Sequence, residues 1–250
     1  SEYGKQVVEN AECEVFTYGI DRDADIKATD IVKKQDSVEF KVTTPWFSGD
    51  IRVNIPGKFS VYNALAAIGS CALMGIPFEY VKAGLENVTV PGRAEVVPTG
   101  TDYTIIIDYA HSPDSLENIL TTVKGYAPAR VISLFGCGGD RDKTKRPIMG
   151  EISGKYADFT VITSDNPRTE EPSAIINDIE EGIKKTQAAY ITIVDRREAI
   201  KYAMQIAQPK DIIVLAGKGH ETYIMLNDKT IHFDEREVVK EILDEMKSKS

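Results

Sequence analysis

Arg130-Val131-Ile132-Ser133-Leu134-Phe135-Gly136-Cys137-Gly138-Gly139-Asp140-Arg141 is the stretch that decides the fold. Its first half is a nearly continuous apolar run; its second half is a glycine-rich turn that ends in charge. A strand with one wet face alternates apolar and polar residues, whereas a strand apolar throughout is covered on both faces, as in a parallel sheet between layers of helices. The pattern recurs along the chain. Apolar runs at Tyr103–Ile107, Phe159–Thr163, Tyr190–Val194 and Asp211–Leu215 alternate with amphipathic segments at Pro113–Lys124, Arg146–Lys155, Ser173–Lys185 and Arg197–Ala207, and a last helix is expected at Glu235–Lys247. Strands and helices in alternation predict an α/β domain with a Rossmann-like, mostly parallel sheet over residues 96–250.

Upstream the texture differs. Short β-rich stretches at Glu14–Tyr18, Ile26–Val32, Ser37–Thr43 and Asp50–Ile55 precede a helix from about Val61 to Met74, with Leu65, Ile68 and Leu73 near helical spacing. Gly75 and Pro77 stop that helix, and a second, about Glu79–Leu85, runs toward Pro91-Gly92. Residues 1–95 therefore read as a separate α+β segment.

Charge and cysteine use narrow the function classes. Lys and Arg number 30 against 39 Asp and Glu, a formal net charge of −9, so no chain-wide basic footprint for nucleic acid exists and any anion site must be local. The three cysteines, Cys13, Cys71 and Cys137, are odd in number and far apart, which argues against a disulfide framework and fits a reducing, cytoplasmic setting. Neither they nor the three histidines have metal-ligand spacing, so no metal site is expected. No apolar run is long enough to span a bilayer, so no membrane insertion is expected.

In open α/β sheets, ligands bind outside the carboxyl ends of the strands. Four turns follow predicted strands there: Asp108–Asp114, Gly136–Arg141, Ser164–Arg168 and Ala216–Glu221. Loop punctuation needs Gly, Pro, Asn or Asp, but not the Arg, His and Glu that accompany them. Gly136–Asp142 is either an anion-binding turn with Arg141 as a two-pronged donor, or a flexible connection with a surface arginine. Asp165-Asn166-Pro167-Arg168 either presents Arg168 from a proline-stiffened turn or caps the next helix with Arg168 solvated. In Gly217-Lys218-Gly219-His220-Glu221, Glu221 either holds an ammonium group or forms a surface pair with Lys218. Asp108 and His111 could orient phosphate or relay a proton, while Ser112 and Pro113 start the next helix. Neither a GxSxG elbow nor a GxxxxGK[ST] phosphate loop occurs in this chain.

Taken in order, these segments resemble the Mur ligase family. The resemblance covers almost the whole chain: Pro56-Gly57-Lys58-Phe59-Ser60-Val61-Tyr62-Asn63-Ala64-Leu65-Ala66-Ala67, then Pro91-Gly92-Arg93-Ala94-Glu95, then the four turns, then Phe233-Asp234-Glu235-Arg236-Glu237. Ser60 stands where the family usually has Asn. The resemblance implies that residues 1–95 are the C-terminal part of a central ATPase domain and 96–250 an amino-acid-binding domain. The family's UDP-binding domain, its phosphate loop and its carbamylated lysine would lie upstream of residue 1, so the chain is expected to be a fragment, inactive alone.

Asp165-Asn166-Pro167-Arg168 is the most specific segment, because in this family it marks members that accept meso-diaminopimelate. By resemblance Arg141, Asp165, Asn166, Pro167, Arg168, Gly217 and Glu221 line the amino-acid pocket, and Asn63, Arg93, Asp108 and His111 lie near the nucleotide. Arg168 would pair with the distal carboxylate that lysine lacks. The implied reaction uses ATP and Mg²⁺ to convert the D-glutamate side chain of UDP-MurNAc-L-Ala-D-Glu into an acyl phosphate, which the diaminopimelate amine then attacks. The implied partners are these small molecules, with no nucleic acid. No catalytic residue is assigned within this chain. The alternatives are a lysine-adding relative, a folylpolyglutamate synthase relative, or a non-catalytic amino-acid or nucleotide binding module.

Overall fold

The computed structural model describes residues 4–34 and 37–248. It forms two compact units, one reaching Thr89 and the other beginning at Val90.

The first unit opens with a short helix, α1 (Gly4–Val8), and a four-stranded sheet of β1 (Tyr18–Gly19), β2 (Ile26–Lys33), β3 (Val38–Thr43) and β4 (Ser48–Val53), in that order. β1 lies parallel to β2, and the remaining pairs are antiparallel, with a register shift between Thr29 and Val32. Of the expected strand Glu14–Tyr18 only Tyr18 is in the sheet; Phe16 instead packs against the unit's core from a non-strand segment. α2 (Lys58–Leu73) and α3 (Phe78–Asn87) follow. Val38, Phe40 and Val42 alternate inward from β3, and Val61, Ala64, Leu65 and Ile68 come inward from α2. The two periods, 2 and 3.6, meet in one core between sheet and helices. Gly75, at φ +73°, takes the left-handed turn that ends α2, its N–H bonding back to Ala72.

The second unit begins with β5 (Glu95–Val97), which runs antiparallel to β6 (Thr104–Asp108). The division between units therefore falls before residue 95, since Glu95 is already part of the second sheet. Then come α4 (Pro113–Lys124), β7 (Val131–Phe135), α5 (Lys145–Tyr156), β8 (Phe159–Ile162), α6 (Pro172–Ile183), β9 (Ala189–Thr192), α7 (Arg196–Ile206) and β10 (Ile212–Ala216). The chain closes with a hairpin, β11 (Tyr223–Leu226) and β12 (Lys229–His232), and α8 (Glu235–Lys247). The sheet order is β5-β6-β10-β7-β8-β9, and every pair but the first is parallel. Every residue of β7 and β10 is buried, as strands at the centre of a two-sided sheet must be. This is the expected α/β, Rossmann-like architecture.

Because β10 inserts between β6 and β7, the strand order reverses beside it. The carboxyl ends of β6, β7, β8 and β10 all open onto one rim there, a topological switch point. Among the described residues no helix is long and apolar enough to cross a membrane.

Candidate functional site

The rim holds a cleft of about 320 Å³. Arg141, Asp165, Asn166, Arg168, Gly217 and Glu221 line it, and so does His111. Sequence reasoning did not select Tyr109, Asp142 or Lys145, which also face it. Pro167, which is buried, and Arg93 and Asp108 are not part of the lining, and Asn63 is exposed on α2 of the first unit.

Asn166 and Arg168 are held by backbone as much as by side chains. Asn166 is buried, and its Oδ1 accepts from the Met225 N–H at 2.9 Å. Its Nδ2 donates to Glu221 Oε2 at 2.8 Å. Arg168 sits at φ +53°, a left-handed conformation that is uncommon for a residue with a Cβ. Two backbone bonds fix it there: Arg168 N–H to Met225 O at 3.0 Å and Asn227 N–H to Arg168 O at 2.7 Å. The β11–β12 hairpin thus adds itself to the Asp165–Arg168 loop like an extra strand. From this base Arg168 Nη1 donates to the Gly139 carbonyl at 2.7 Å. The reading in which this loop caps the next helix with a solvated arginine is overturned: Glu171 is the residue that precedes α6.

The Gly136–Asp142 turn is closed against the same loop. Gly139 N–H donates to Asn166 O at 2.9 Å, and Asp140 N–H to Glu170 Oε1 at 2.7 Å. Those two N–H groups are used within the protein and do not serve as an anion cradle. The glycines answer to crowding instead. A Cβ on Gly136 would lie 2.2 Å from Thr163 O, and one on Gly139 would lie 1.9 Å from Pro167 O. Behind both loops Arg146, fully buried, donates to Glu170, to Asp178 at 2.8 Å and to Gly138 O at 3.3 Å. Arg146 holds the Glu170 carboxyl well below the usual carboxylate range.

Across the cleft, Gly217 takes φ +117°, and a Cβ there would meet Asp165 Oδ2 at 2.6 Å. Lys218 is not the surface partner of Glu221 that sequence allowed. It is wholly buried, with Nζ 3.4 Å from both Glu221 Oε2 and Asn166 Oδ1 and 3.9 Å from Asp165 Oδ1.

Arg93, Tyr109, His111 and His220 form a ledge beside the cleft. The Arg93 guanidinium lies 4.8 Å over the Tyr109 ring, whose centroid is 4.6 Å from His111 and 5.0 Å from His220. Asp108 and His111 are not a relay. Asp108 accepts from Ala94 N–H at 2.8 Å, and His111 Nδ1 faces Tyr109 O at 2.9 Å. Ser112 caps α4 in a capping box with Ser115, ahead of Pro113. Among the described residues no group of three or more His, Cys, Asp and Glu is placed to hold a metal.

The lining is therefore mixed in charge: Arg141, Lys145 and Arg168 as cations, Asp142, Asp165 and Glu221 as carboxylates. That suits a small zwitterion with more than one carboxylate. Comparison with known proteins defines the class. Residues 92–219 match the family model for the Mur ligase glutamate ligase domain, and residues 1–71 match that for the Mur ligase middle domain. This chain belongs to the Mur ligase family. Over 97% of its length it is 54% identical to the UDP-N-acetylmuramoyl-L-alanyl-D-glutamate–2,6-diaminopimelate ligase of Caldanaerobacter subterraneus subsp. tengcongensis. Over 98% it is 49% identical to the ligase of the same name from Clostridium botulinum. It spans about half the length of these relatives, 50% and 51%. A solved structure of a ligase of that name is 33% identical, with a TM-score of 0.62 over 97% of this chain and 50% of that one.

Proposed function

We propose that the rim cleft holds meso-diaminopimelate for an ATP-dependent ligase that joins it to UDP-MurNAc-L-Ala-D-Glu. The observation that carries this reading is Arg168. It lines the cleft from a backbone fixed by the hairpin, in a lining that also carries the carboxylates Asp165 and Glu221. A planar guanidinium so held suits the distal carboxylate, and the acidic wall suits an ammonium group. Lysine has no distal carboxylate to offer the Arg168 N–H groups left free by Gly139 O, which costs affinity. The names of the related ligases support the same substrate.

The ligase reaction transfers the γ-phosphoryl group of ATP to the D-glutamate side-chain carboxylate, giving an acyl phosphate and ADP. The diaminopimelate amine attacks the acyl carbon, inorganic phosphate leaves, and the nitrogen loses a proton. The residues of this cleft bind and orient the nucleophile; the gain is that of proximity. The Arg93–Tyr109 ledge, with Asp108 and His111 behind and beside it, is the part of this unit offered to the nucleotide, and Asn63 is the corresponding proposal in the first unit. The purified 250-residue chain is expected to show no ligase turnover, since it contains no GxxxxGK[ST] loop.

Calorimetric titration of the chain with meso-diaminopimelate and with L-lysine tests the reading. Diaminopimelate is expected to bind at least about tenfold more tightly, a difference of about 1.4 kcal/mol, and Arg168→Ala to erase that preference. Equal binding of the two amino acids would overturn the assignment.

A further inference from the structure

Lys218 has no accessible surface, so it cannot touch a molecule in the cleft. Yet its ammonium group faces three side chains that do line the cleft: Asn166, Glu221 and Asp165. The Tyr223 ring closes the far side, 5.7 Å from Nζ to centroid.

The consequence lies in how Asn166 is turned. A side-chain amide has one accepting and one donating end, and the two are set by their neighbours. Here the Met225 N–H and the Lys218 ammonium both point at one end, so that end must be Oδ1. The opposite end is then Nδ2, and it donates to Glu221 Oε2 at 2.8 Å. A flipped amide would set NH₂ against a backbone donor and a cation, and set an oxygen against a carboxylate. Glu221 Oε2 is thereby occupied on the protein side by Asn166 and Lys218. Oε1 has no hydrogen-bond partner among the described residues.

We propose that Lys218 is a positioning residue: from its buried place it fixes the Asn166 amide and turns the Glu221 carboxylate so that Oε1 is presented to an ammonium group of the bound amino acid. This rests on the reading of the cleft as an amino-acid site. Burial pulls the Lys218 ammonium below the usual lysine range, and the nearby Asp165 and Glu221 carboxylates act in the opposite direction.

A double-mutant cycle on the 250-residue chain tests the proposal, with meso-diaminopimelate affinity by calorimetry and Asn166 side-chain NH₂ exchange by NMR as readouts. Lys218→Met and Glu221→Gln are each expected to weaken binding about tenfold, and the double variant to be no weaker than Glu221→Gln alone. Lys218→Gln, which keeps a donor toward Asn166, should recover part of the affinity; it replaces Lys218→Met in the cycle if the latter does not fold. Without ligand, Asn166 NH₂ exchange should quicken by about tenfold or more in the Lys218 variant while core amides of β7 and β10 stay protected. Additive losses, or unchanged Asn166 exchange in a folded variant, overturn the proposal. Failure of the unsubstituted chain to bind meso-diaminopimelate overturns the substrate reading instead, and the exchange measurement then decides the positioning role by itself.

Discussion

Arg196 and Glu235 meet at 2.8 Å with neither side chain exposed to solvent. Arg196 also donates to Ser164 O at 3.1 Å and to Ala216 O at 2.9 Å, so it ties together the exits of β8 and β10, the two strands that feed opposite walls of the cleft. Burial pushes the Glu235 carboxyl up, against the pull of Arg196, and Glu235 Oε2 has no hydrogen-bond partner among the described residues. Removing one member strands the other: Glu235→Ala is expected to cost about 3–5 kcal/mol. Replacing both, Arg196→Met with Glu235→Leu, removes the stranded charge but takes the arginine donor away from the Ser164 and Ala216 carbonyls, so it should still cost about 2 kcal/mol. Urea unfolding of the three proteins checks this, and a double variant as stable as the parent would show that the two carbonyl bonds contribute nothing.

Asp108 is raised by burial in the same direction, but without a charged partner in contact among the described residues. It is buried at the end of β6, and burial pushes its carboxyl above the usual range despite the Ala94 N–H and the nearby Arg93. The native chain then holds that proton more tightly than the unfolded chain does. Ionising Asp108 accordingly lowers stability as pH rises above the unfolded value of about 3.9, and the penalty is absent below it. Asp108→Asn keeps an oxygen for Ala94 N–H and removes the charge. It should raise stability at pH 7 by about 1 kcal/mol, with the gain vanishing as pH falls toward about 4. Denaturation at both pH values measures the difference, and an Asn variant less stable at pH 7 contradicts the account.

Cys137 follows the glycine after β7, with its Sγ 3.7 Å from the Met149 sulfur. Burial pushes its thiol up to about 12. Thiolate is the reactive form, so at about pH 8.5 Cys137 should be inert toward iodoacetamide while the exposed Cys13 reacts. Peptide mass spectrometry after brief labelling should find Cys13 modified at least about a hundredfold faster than Cys137, with the gap closing in urea. Comparable rates in the native protein would mean that the turn opens far more readily than its packing allows.

What was legible in the sequence, and what was not, follows from burial. β7 and β10 were readable because strands covered on both faces must be apolar throughout. The four turns were readable because they combine turn residues with chemistry that turns do not need. The β11–β12 hairpin was not readable. Every residue of β12 is exposed and every residue of β11 is half-buried, so no alternation marks them. β5 is three residues long and begins with a glutamate that bonds Arg236. Lys218, Arg146 and Arg196 were misread or passed over for one reason: a lone Lys or Arg in a sequence is normally a surface residue, and only the fold shows three cations buried behind the rim. The same holds for Gly136 and Gly139. The sequence offered them as anion-binding turns, whereas their lack of a side chain lets two neighbouring loops touch.

That last point separates two glycine substitutions that look alike on paper. Gly139→Ala places a Cβ 1.9 Å from the Pro167 carbonyl oxygen, which is backbone and cannot swing aside. The Gly136–Asp142 turn must then part from the Asp165–Arg168 loop, breaking the Gly139 N–H to Asn166 O bond and withdrawing the carbonyl that anchors Arg168. Gly84, in α3, has nothing within 4 Å of an added Cβ and no left-handed backbone. There alanine only reduces the freedom of the unfolded chain and favours helix, so Gly84→Ala should stabilise by about 0.5–1 kcal/mol. Gly139→Ala should destabilise by about 1–3 kcal/mol as an overpacked site, and should weaken meso-diaminopimelate binding about tenfold or more through Arg168. Thermal unfolding and calorimetry on the two variants read both effects. If Gly139→Ala bound diaminopimelate as tightly as the parent chain, the Gly139 carbonyl would not be what holds Arg168 in its working position.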